Sequence, residues 1–136
     1  MKKRKKRIVK PPTNKTFSIS DRIKSFGYAF NGILIMLKSQ HNAWIHLAFS
    51  GVVMIAGILF KFKPAEWCWI LLSIMAVWMA EAFNTALEFL ADVISPEIQP
   101  LIGKAKDVAA GAVLLAAFGS AAVGVLVFGP HFLALF

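Results

Sequence analysis

The sequence contains a single cysteine, Cys68, so it can form neither an intramolecular disulfide nor a cluster of thiolate metal ligands. It also lacks the GxxxxGK[ST] motif and the Gly-rich loop of protein kinases, two common phosphate-binding signatures. Its N-terminal region is basic and contains adjacent prolines, without the apolar segment and cleavage site of a secretory signal peptide. We therefore expect no disulfide framework, no cleaved signal and no standard nucleotide-binding loop.

Charge is scarce over long stretches of the chain, of which 58% is hydrophobic and 16% charged. The helices of a soluble domain of this length would each present a polar face to water. The runs 43–60, 66–94 and 108–128 are instead mostly apolar, with the charges of the second run concentrated in its second half, and a helix needs about 20 apolar residues to cross a bilayer. The composition therefore predicts an all-α integral membrane protein with three transmembrane helices.

Acidic residues are few, and the charges are unevenly distributed. Eleven of the fifteen Lys and Arg precede residue 39, whereas five of the seven acids lie between residues 81 and 107. No nucleic-acid-binding motif follows KKRKKR (2–7), so this run fits contact with anionic lipid headgroups better than nucleic acid. With the N-terminus and residues 95–107 inside, thirteen of the fifteen basic residues face the cytoplasm. We expect the chemistry at that face.

Polar segments divide the chain. Ser20-Asp21 is a helix-capping pair, and the mixed sequence after it predicts an amphipathic helix over 22–39 that lies in the bilayer interface. KFKP (61–64) predicts a turn, and Ser95-Pro96 and Pro100 predict a polar loop over 95–107. We therefore divide the chain into a basic arm (1–19), a membrane domain (20–130) and a short tail (131–136).

Small residues recur at every fourth position of the third span. Such a stripe allows helix backbones to approach closely in lipid. Three spans enclose little interior, so a homo-oligomer that encloses the polar residues is expected. The stripe consists of Ala112, Ala116, Ser120 and Gly124.

The second span ends in EAFNTALEFLAD (81–92), which is unusually polar for a membrane helix. An acidic residue at the centre of a spanning helix costs about 2.5–3.5 kcal/mol, so three acids on one face indicate function. Glu81 and Glu88 lie about 10 Å apart along the axis, which suits two roles on one extended substrate. At about 100° per residue, the narrow polar arc comprises Glu81, Thr85, Glu88 and Asp92, with Asn84 at its edge.

Carboxylates at such a boundary can hold a divalent cation, act as a general base toward a hydroxyl, or relay protons. Lys106-Asp107, at the start of the third span, adds a lysine that can meet a phosphate, which favours phosphoryl transfer. Two other classes stay open: an ion- or proton-coupled transporter, although no internal repeat is visible, and a non-catalytic scaffold. ATP turnover separates the three.

The segment EAFNTALEFLADVISPEIQPLIGKAKDVAAGAVLL (81–115) resembles the signature region of the prokaryotic diacylglycerol kinase and undecaprenol kinase family. That core reads E-x-x-N-[ST]-A-[IL]-E-x-x-x-D, then a short loop and A-K-D. The likeness extends through NAWIHLAF (42–49), PAEW (64–67) and, more weakly, KSFGYAFNGI (24–33). It implies an interfacial amphipathic helix plus three transmembrane helices, assembled as a homotrimer in the bacterial inner membrane. It also implies transfer of the γ-phosphoryl group of MgATP to a lipid alcohol, diacylglycerol or undecaprenol.

The resemblance implies roles for individual residues as well. Glu81 would be the general base on the lipid hydroxyl, and Asn84 would position the reacting groups. Glu88 and the residue at position 40 would hold Mg²⁺, with Asp92 supporting the site. The nucleotide-binding positions implied are Tyr28, Gln40, Glu88, Glu97, Gln99, Lys106 and Asp107.

Position 40 departs from the family, which usually has a metal-binding glutamate where this chain has Gln40. Glutamine can coordinate Mg²⁺ through its carbonyl oxygen but brings no charge. Metal binding is then weaker or indirect, or His41 contributes a hydrogen bond; a catalytically inactive member is the alternative. The PAEW, SPE and KAKDVAAGAVLL segments look closer to Gram-positive members, where undecaprenol is the typical acceptor. Apolar surface selects the lipid, so both acceptors stay open.

Overall fold

The computed structural model describes residues 18–94 and 99–135, and over these residues the chain is entirely α-helical apart from short connections. The helices are α1 (Ile19–Ser39), α2 (His41–Leu59), α3 (Pro64–Ile94) and α4 (Pro100–Leu133). Helices α2, α3 and α4 are long and apolar enough to cross a membrane. The all-α prediction with three spans is confirmed, whereas the interfacial position of α1 and the trimer stay predictions. The basic arm up to residue 17 lies outside the described residues.

Helix α1 begins earlier than the sequence predicted. Its N-cap is Ser18, whose hydroxyl accepts a hydrogen bond from the backbone N–H of Asp21 at 3.4 Å. The predicted cap at Ser20-Asp21 is therefore wrong. A serine followed three residues later by an acid is the stronger capping signal, because the hydroxyl can reach that N–H.

Helix α4 begins at Pro100, so the predicted loop over 95–107 is wrong from residue 100 onward. Proline suits the first helical position, because its missing N–H would have no partner there and its φ is already helical. The carbonyl of Gln99 accepts from the N–H groups of Ile102 and Gly103, at 3.0 and 3.1 Å. The helix also runs through Pro130 to Leu133, beyond the predicted end at residue 128.

The turn between α2 and α3 is closed by backbone hydrogen bonds and aromatic packing. Lys61 has a positive φ of 55°, and the next N–H, of Phe62, bonds to the carbonyl of Gly57 at 3.0 Å. This is the Schellman arrangement at a helix C-terminus. The buried ring of Phe62 packs against Trp67 and Phe128, with centroids 5.6 and 4.8 Å away. The turn thereby ties α2, α3 and α4 together at one end.

The other helix junction positions a polar side chain. Gln40 alone separates α1 from α2, and its extended backbone (φ −115°, ψ 118°) ends one helix and caps the next. Its N–H bonds to the carbonyl of Met36 at 2.9 Å, which fixes the break. Farther along the bundle, Ser120 of the small-residue stripe donates to the carbonyl of Ser73 at 3.0 Å, which links α4 to α3.

Gly57 is the glycine at which a side chain would not fit. A Cβ there would lie 2.8 Å from Cη2 of Trp67 and 2.9 Å from Cδ2 of Phe62, two rings that pack against each other. We expect Gly57→Ala to lower the free energy of unfolding by about 1–3 kcal/mol, measured by reversible unfolding in mixed detergent micelles. Gly51→Ala is the matched control on the same helix, with nothing within 4 Å of its added Cβ. Equal stability of the two variants would contradict this packing.

Candidate active site

The polar face of α3 is graded in burial. Glu81, Asn84 and Thr85 are buried, with 0%, 6% and 3% of their surface exposed. Glu88 is half-buried, and Asp92 at the end of the helix is exposed. The hydroxyl of Thr85 donates to the carbonyl of Glu81 at 2.9 Å, so this group is satisfied within the helix. The free-energy cost of burying polar groups is therefore greatest at the Glu81 end of the face, where helices enclose the carboxylate.

Two amide side chains hold the carboxylate of Glu88. Gln40 Nε2 donates to one oxygen at 2.6 Å, and Asn84 Nδ2 donates to the other at 3.2 Å. The structure thus brings together three of the predicted site residues from two parts of the chain. Hydrogen bonds to an ionised acceptor are stronger than neutral ones, so the orientation of Glu88 is fixed without its charge being cancelled.

Glu81 has different surroundings. Within residues 18–94 and 99–135, neither of its carboxylate oxygens has a hydrogen-bond donor, and Nε2 of His46 and Oδ1 of Asn84 are also buried and unpaired. His46 Nε2 lies 4.0 Å from Glu81 Oε2, beyond hydrogen-bonding distance. A buried polar atom without a partner costs about 1–3 kcal/mol, and more when it is charged. Four such atoms in one place indicate that a polar molecule binds there.

The residues that carry these unpaired atoms, His46, Glu81 and Asn84, line a cavity of about 260 Å³ between α2, α3 and α4. Its polar wall is formed by Asn42, His46, Glu81 and Asn84. Its α4 wall is apolar and consists of Ala110, Val113, Leu114 and Ala117. The cavity therefore offers polar contacts on two helices and none on the third.

A second, larger cavity adjoins the first. It measures about 480 Å³ and shares Ile45, His46 and Ala117 with the polar cavity. Its other walls are mostly apolar and include Phe49, Val77 and Phe128, with three serines among them. The polar cavity thus lies beside an apolar one of a size that can take part of a hydrocarbon chain.

His46 is a residue of the site to which the sequence analysis assigned no role, although it lies within the predicted span 43–60. The sequence does contain a signal for His46, because an ionisable side chain inside a membrane span needs a polar partner. Glu81 in the next span was the natural candidate for that partner. Periodicity within one helix does not pair residues on two helices, and this is why the link was not drawn.

The remaining predicted residues lie farther from this centre. Lys106 Nζ donates to Asp92 Oδ1 at 2.7 Å and ties the start of α4 to the end of α3. The Lys106 side chain is partly exposed and that of Asp92 well exposed, so the pair contributes little to stability. Four other residues named in the sequence analysis are exposed and, among the residues described, form no hydrogen bond with the α3 face. They are Tyr28, His41, Gln99 and Asp107. Glu97 lies outside the described residues.

The donor set at Glu88 is compatible with Mg²⁺. Magnesium prefers oxygen ligands and is usually held by one or two carboxylates together with waters and phosphates. Glu88 supplies one carboxylate, Asn84 Oδ1 is a buried unpaired oxygen, and rotation of the Gln40 amide would present a third. Among the described residues no three His, Cys, Asp or Glu side chains converge on a metal position. A cation here would need further oxygens, which nucleotide phosphates can supply.

Comparison with known proteins identifies the family. Residues 27–128 match the family described as prokaryotic diacylglycerol kinase. The undecaprenol kinase of Bacillus subtilis is 38% identical over 107 residues, which cover 79% of this chain and 87% of that protein. The diacylglycerol kinase of Synechocystis is 37% identical over 82% of this chain and 64% of its own length. That of Escherichia coli is 27% identical over 88% of this chain and 98% of its own.

The Gln40–Glu88 contact generates a prediction that needs no catalytic assay. Gln40→Glu would set a second carboxylate beside Glu88, so without metal the two charges would repel and lower the melting temperature. We expect Mg²⁺ to restore stability in this variant by about 2–3 kcal/mol at a hundredfold excess over its dissociation constant. Differential scanning calorimetry in EDTA and in Mg²⁺ measures this change in stability. Gln40→Met is the matched control, since it removes the hydrogen bond and adds no charge. An equal response of both variants to Mg²⁺ would contradict a cation position beside residue 40.

Proposed function

The chain belongs to the prokaryotic diacylglycerol kinase family and is a membrane lipid kinase; we propose that it transfers the γ-phosphoryl group of MgATP to the hydroxyl of diacylglycerol or undecaprenol. The observation that carries this proposal is the contrast between two carboxylates on α3. Among the residues that the structure describes, Glu81 is buried, lines a cavity and has no hydrogen-bond donor, whereas Glu88 is held by two amides.

Glu81 is assigned as the general base at the acceptor. Its carboxylate lines the polar cavity, where a lipid hydroxyl can donate a hydrogen bond to it. As the hydroxyl oxygen attacks the γ-phosphorus, its proton passes to Glu81. The bond between that phosphorus and the bridging oxygen breaks, and ADP leaves with the electron pair. Asn84, one turn along the same helix and bonded to Glu88, is placed to position the reacting groups.

Glu88 and Gln40 are assigned to the metal–nucleotide end. Seven residues of helix separate Glu88 from Glu81, or about 10 Å, a distance that a nucleotide phosphate and a lipid hydroxyl can share. Mg²⁺, brought with ATP, supplies charge neutralisation on the transferring phosphoryl group. Lys106 contacts phosphate, and Asp92 orients Lys106 through their 2.7 Å bond. Tyr28, Glu97, Gln99 and Asp107 complete the nucleotide-binding assignment that the family pattern implies.

The acceptor chain is assigned to the apolar cavity. That cavity adjoins the polar one at Ile45, His46 and Ala117. A lipid whose hydroxyl lies near Glu81 can therefore place its hydrocarbon chain against the apolar walls. The relatives named undecaprenol kinase and diacylglycerol kinase match this chain almost equally, at 38% and 37% identity, so both acceptors are retained. Intact Glu81, Asn84 and Glu88 argue for an active enzyme over an inactive family member.

The assembly and orientation are part of the same proposal. The excess of basic residues in the N-terminal region and in residues 95–107 supports an active site on the cytoplasmic side of a bacterial inner membrane. Helices α2 to α4 expose many large apolar side chains to lipid or to neighbouring copies. A homotrimer would enclose the exposed end of the α3 face, within a membrane domain spanning residues 20–130.

Transfer of label from γ-labelled ATP tests the proposal. Purified protein in mixed micelles with Mg²⁺ is expected to label diacylglycerol or undecaprenol, resolved by chromatography of the extracted lipids. Glu81→Gln is expected to lower this rate at least about a hundredfold, because the amide cannot take the proton, while the melting temperature is retained.

Glu66→Gln is the matched control for that experiment, since it makes the same change on the same helix at the opposite end. Glu66 contacts His131 at 2.9 Å there, away from the cavity. Absence of labelled product from either lipid and from a total lipid extract would overturn the kinase proposal. A near-normal rate in Glu81→Gln would remove Glu81 as the base.

A further inference from the structure

His46 and Glu81 both line the polar cavity, and a small rotation of either side chain would admit one oxygen atom in contact with both. The Nε2 and Oε2 atoms are 4.0 Å apart, and the side chains are 18% and 1% exposed. A single oxygen placed about 2.8 Å from each atom would form good hydrogen bonds to both. The angle at that oxygen would then be about 90°, which suits a hydroxyl oxygen.

The two groups also complement each other in hydrogen-bonding capacity. A carboxylate can only accept, whereas the imidazole ring can donate through Nε2. A hydroxyl group placed between them donates its proton to Glu81 and accepts from His46. A single alcohol group thus satisfies His46 Nε2 and one oxygen of Glu81, two of the four unpaired buried atoms.

The surroundings leave His46 and Glu81 as the titratable pair of this cavity. Helix α4 presents Ala110, Val113 and Ala117, and α2 adds the neutral Asn42. On α3, the next carboxylate, Glu88, has both oxygens bonded to amides. Among the residues that the structure describes, no lysine or arginine lines the cavity and competes for Glu81.

We propose that His46 binds the acceptor hydroxyl together with Glu81, as the hydrogen-bond donor to the oxygen that attacks the γ-phosphorus. This rests on the proposed lipid kinase function and adds a second acceptor-binding residue to it. The hydroxyl proton points to Glu81, one lone pair accepts from His46, and the second lone pair is directed at phosphorus. His46 thereby fixes the orientation of the nucleophile, and the proton released in the transfer still passes to Glu81.

The position of His46 between the two cavities supports this role. It lines both the polar cavity and the apolar one, so it lies where the hydroxyl end of a lipid meets its hydrocarbon chain. A contact at that junction acts on the acceptor and leaves the nucleotide end untouched. Loss of the His46 contact should therefore change the kinetic constants for the lipid and leave those for MgATP nearly unchanged.

Steady-state kinetics with the lipid and MgATP varied separately measures that separation. His46→Leu is expected to raise the KM for the lipid alcohol, or to lower kcat/KM for it, about tenfold, as for one lost hydrogen bond of about 1.4 kcal/mol. The KM for MgATP should change less than about twofold, since one hydrogen bond at the acceptor does not reach the nucleotide. His46→Gln, whose amide can still donate, should recover most of the lost kcat/KM.

His131→Leu is the matched control, because it removes a histidine that contacts Glu66 at the other end of the bundle. It should leave both KM values unchanged even where the melting temperature falls. If His46→Leu does not fold, His46→Asn, which stays polar but reaches less far, takes its place with the same expected loss. Normal lipid kinetics in His46→Leu, or in His46→Asn where it takes its place, or equal effects on both substrates, would overturn this proposal alone. A wild-type protein that phosphorylates no lipid alcohol would overturn the proposed function and this proposal with it.

Discussion

The structure depends on one constraint: the carboxylate of Glu81 is enclosed by helices in which no described residue donates a hydrogen bond to it. In a membrane protein, such a group is retained only where neighbouring groups or a bound molecule satisfy it, since bulk water is absent. Helix α2 contributes His46, α3 carries the carboxylate, and α4 closes the cavity with apolar side chains. Each spanning helix therefore has a defined place relative to this one group.

This constraint divides the polar face of α3 into a Glu88 end and a Glu81 end. Glu88 is held by Gln40 and Asn84 before any ligand arrives, so it is preorganised for a charged partner. Glu81, two turns away, is left unpaired and gains most from a hydroxyl that donates to it. The same residue type thus serves two ends of one substrate pair because its surroundings differ. The aromatic packing around Phe62 holds the helices in this arrangement from the opposite end.

The sequence was informative where a single helix decides the outcome. Helical periodicity sets Glu81, Thr85 and Glu88 on one face whatever lies next to them, and apolar length alone identifies the three spans. The contact of Gln40 with Glu88 depends on the break between α1 and α2 and joins residues 48 positions apart, so no local pattern contains it.

Two errors at the helix ends concern the residue that begins a helix. Proline is favoured at a first helical position, so Pro100 begins α4 and does not break it, and Ser18, not the next serine, caps α1. His46 could have been paired with Glu81 from the cost of isolated ionisable residues in a membrane. Its distance and its place between two cavities required the packed helices.

Mg²⁺-dependent binding of a non-hydrolysable ATP analogue tests the central claim most directly, because it separates the two ends of the α3 face without turnover. We expect Glu88→Gln to weaken this binding at least about tenfold through the loss of a charged ligand, and Glu81→Gln to change it less than about twofold. Equal losses in the two variants, or a larger loss in Glu81→Gln, would contradict the division of this face into a nucleotide end and an acceptor end.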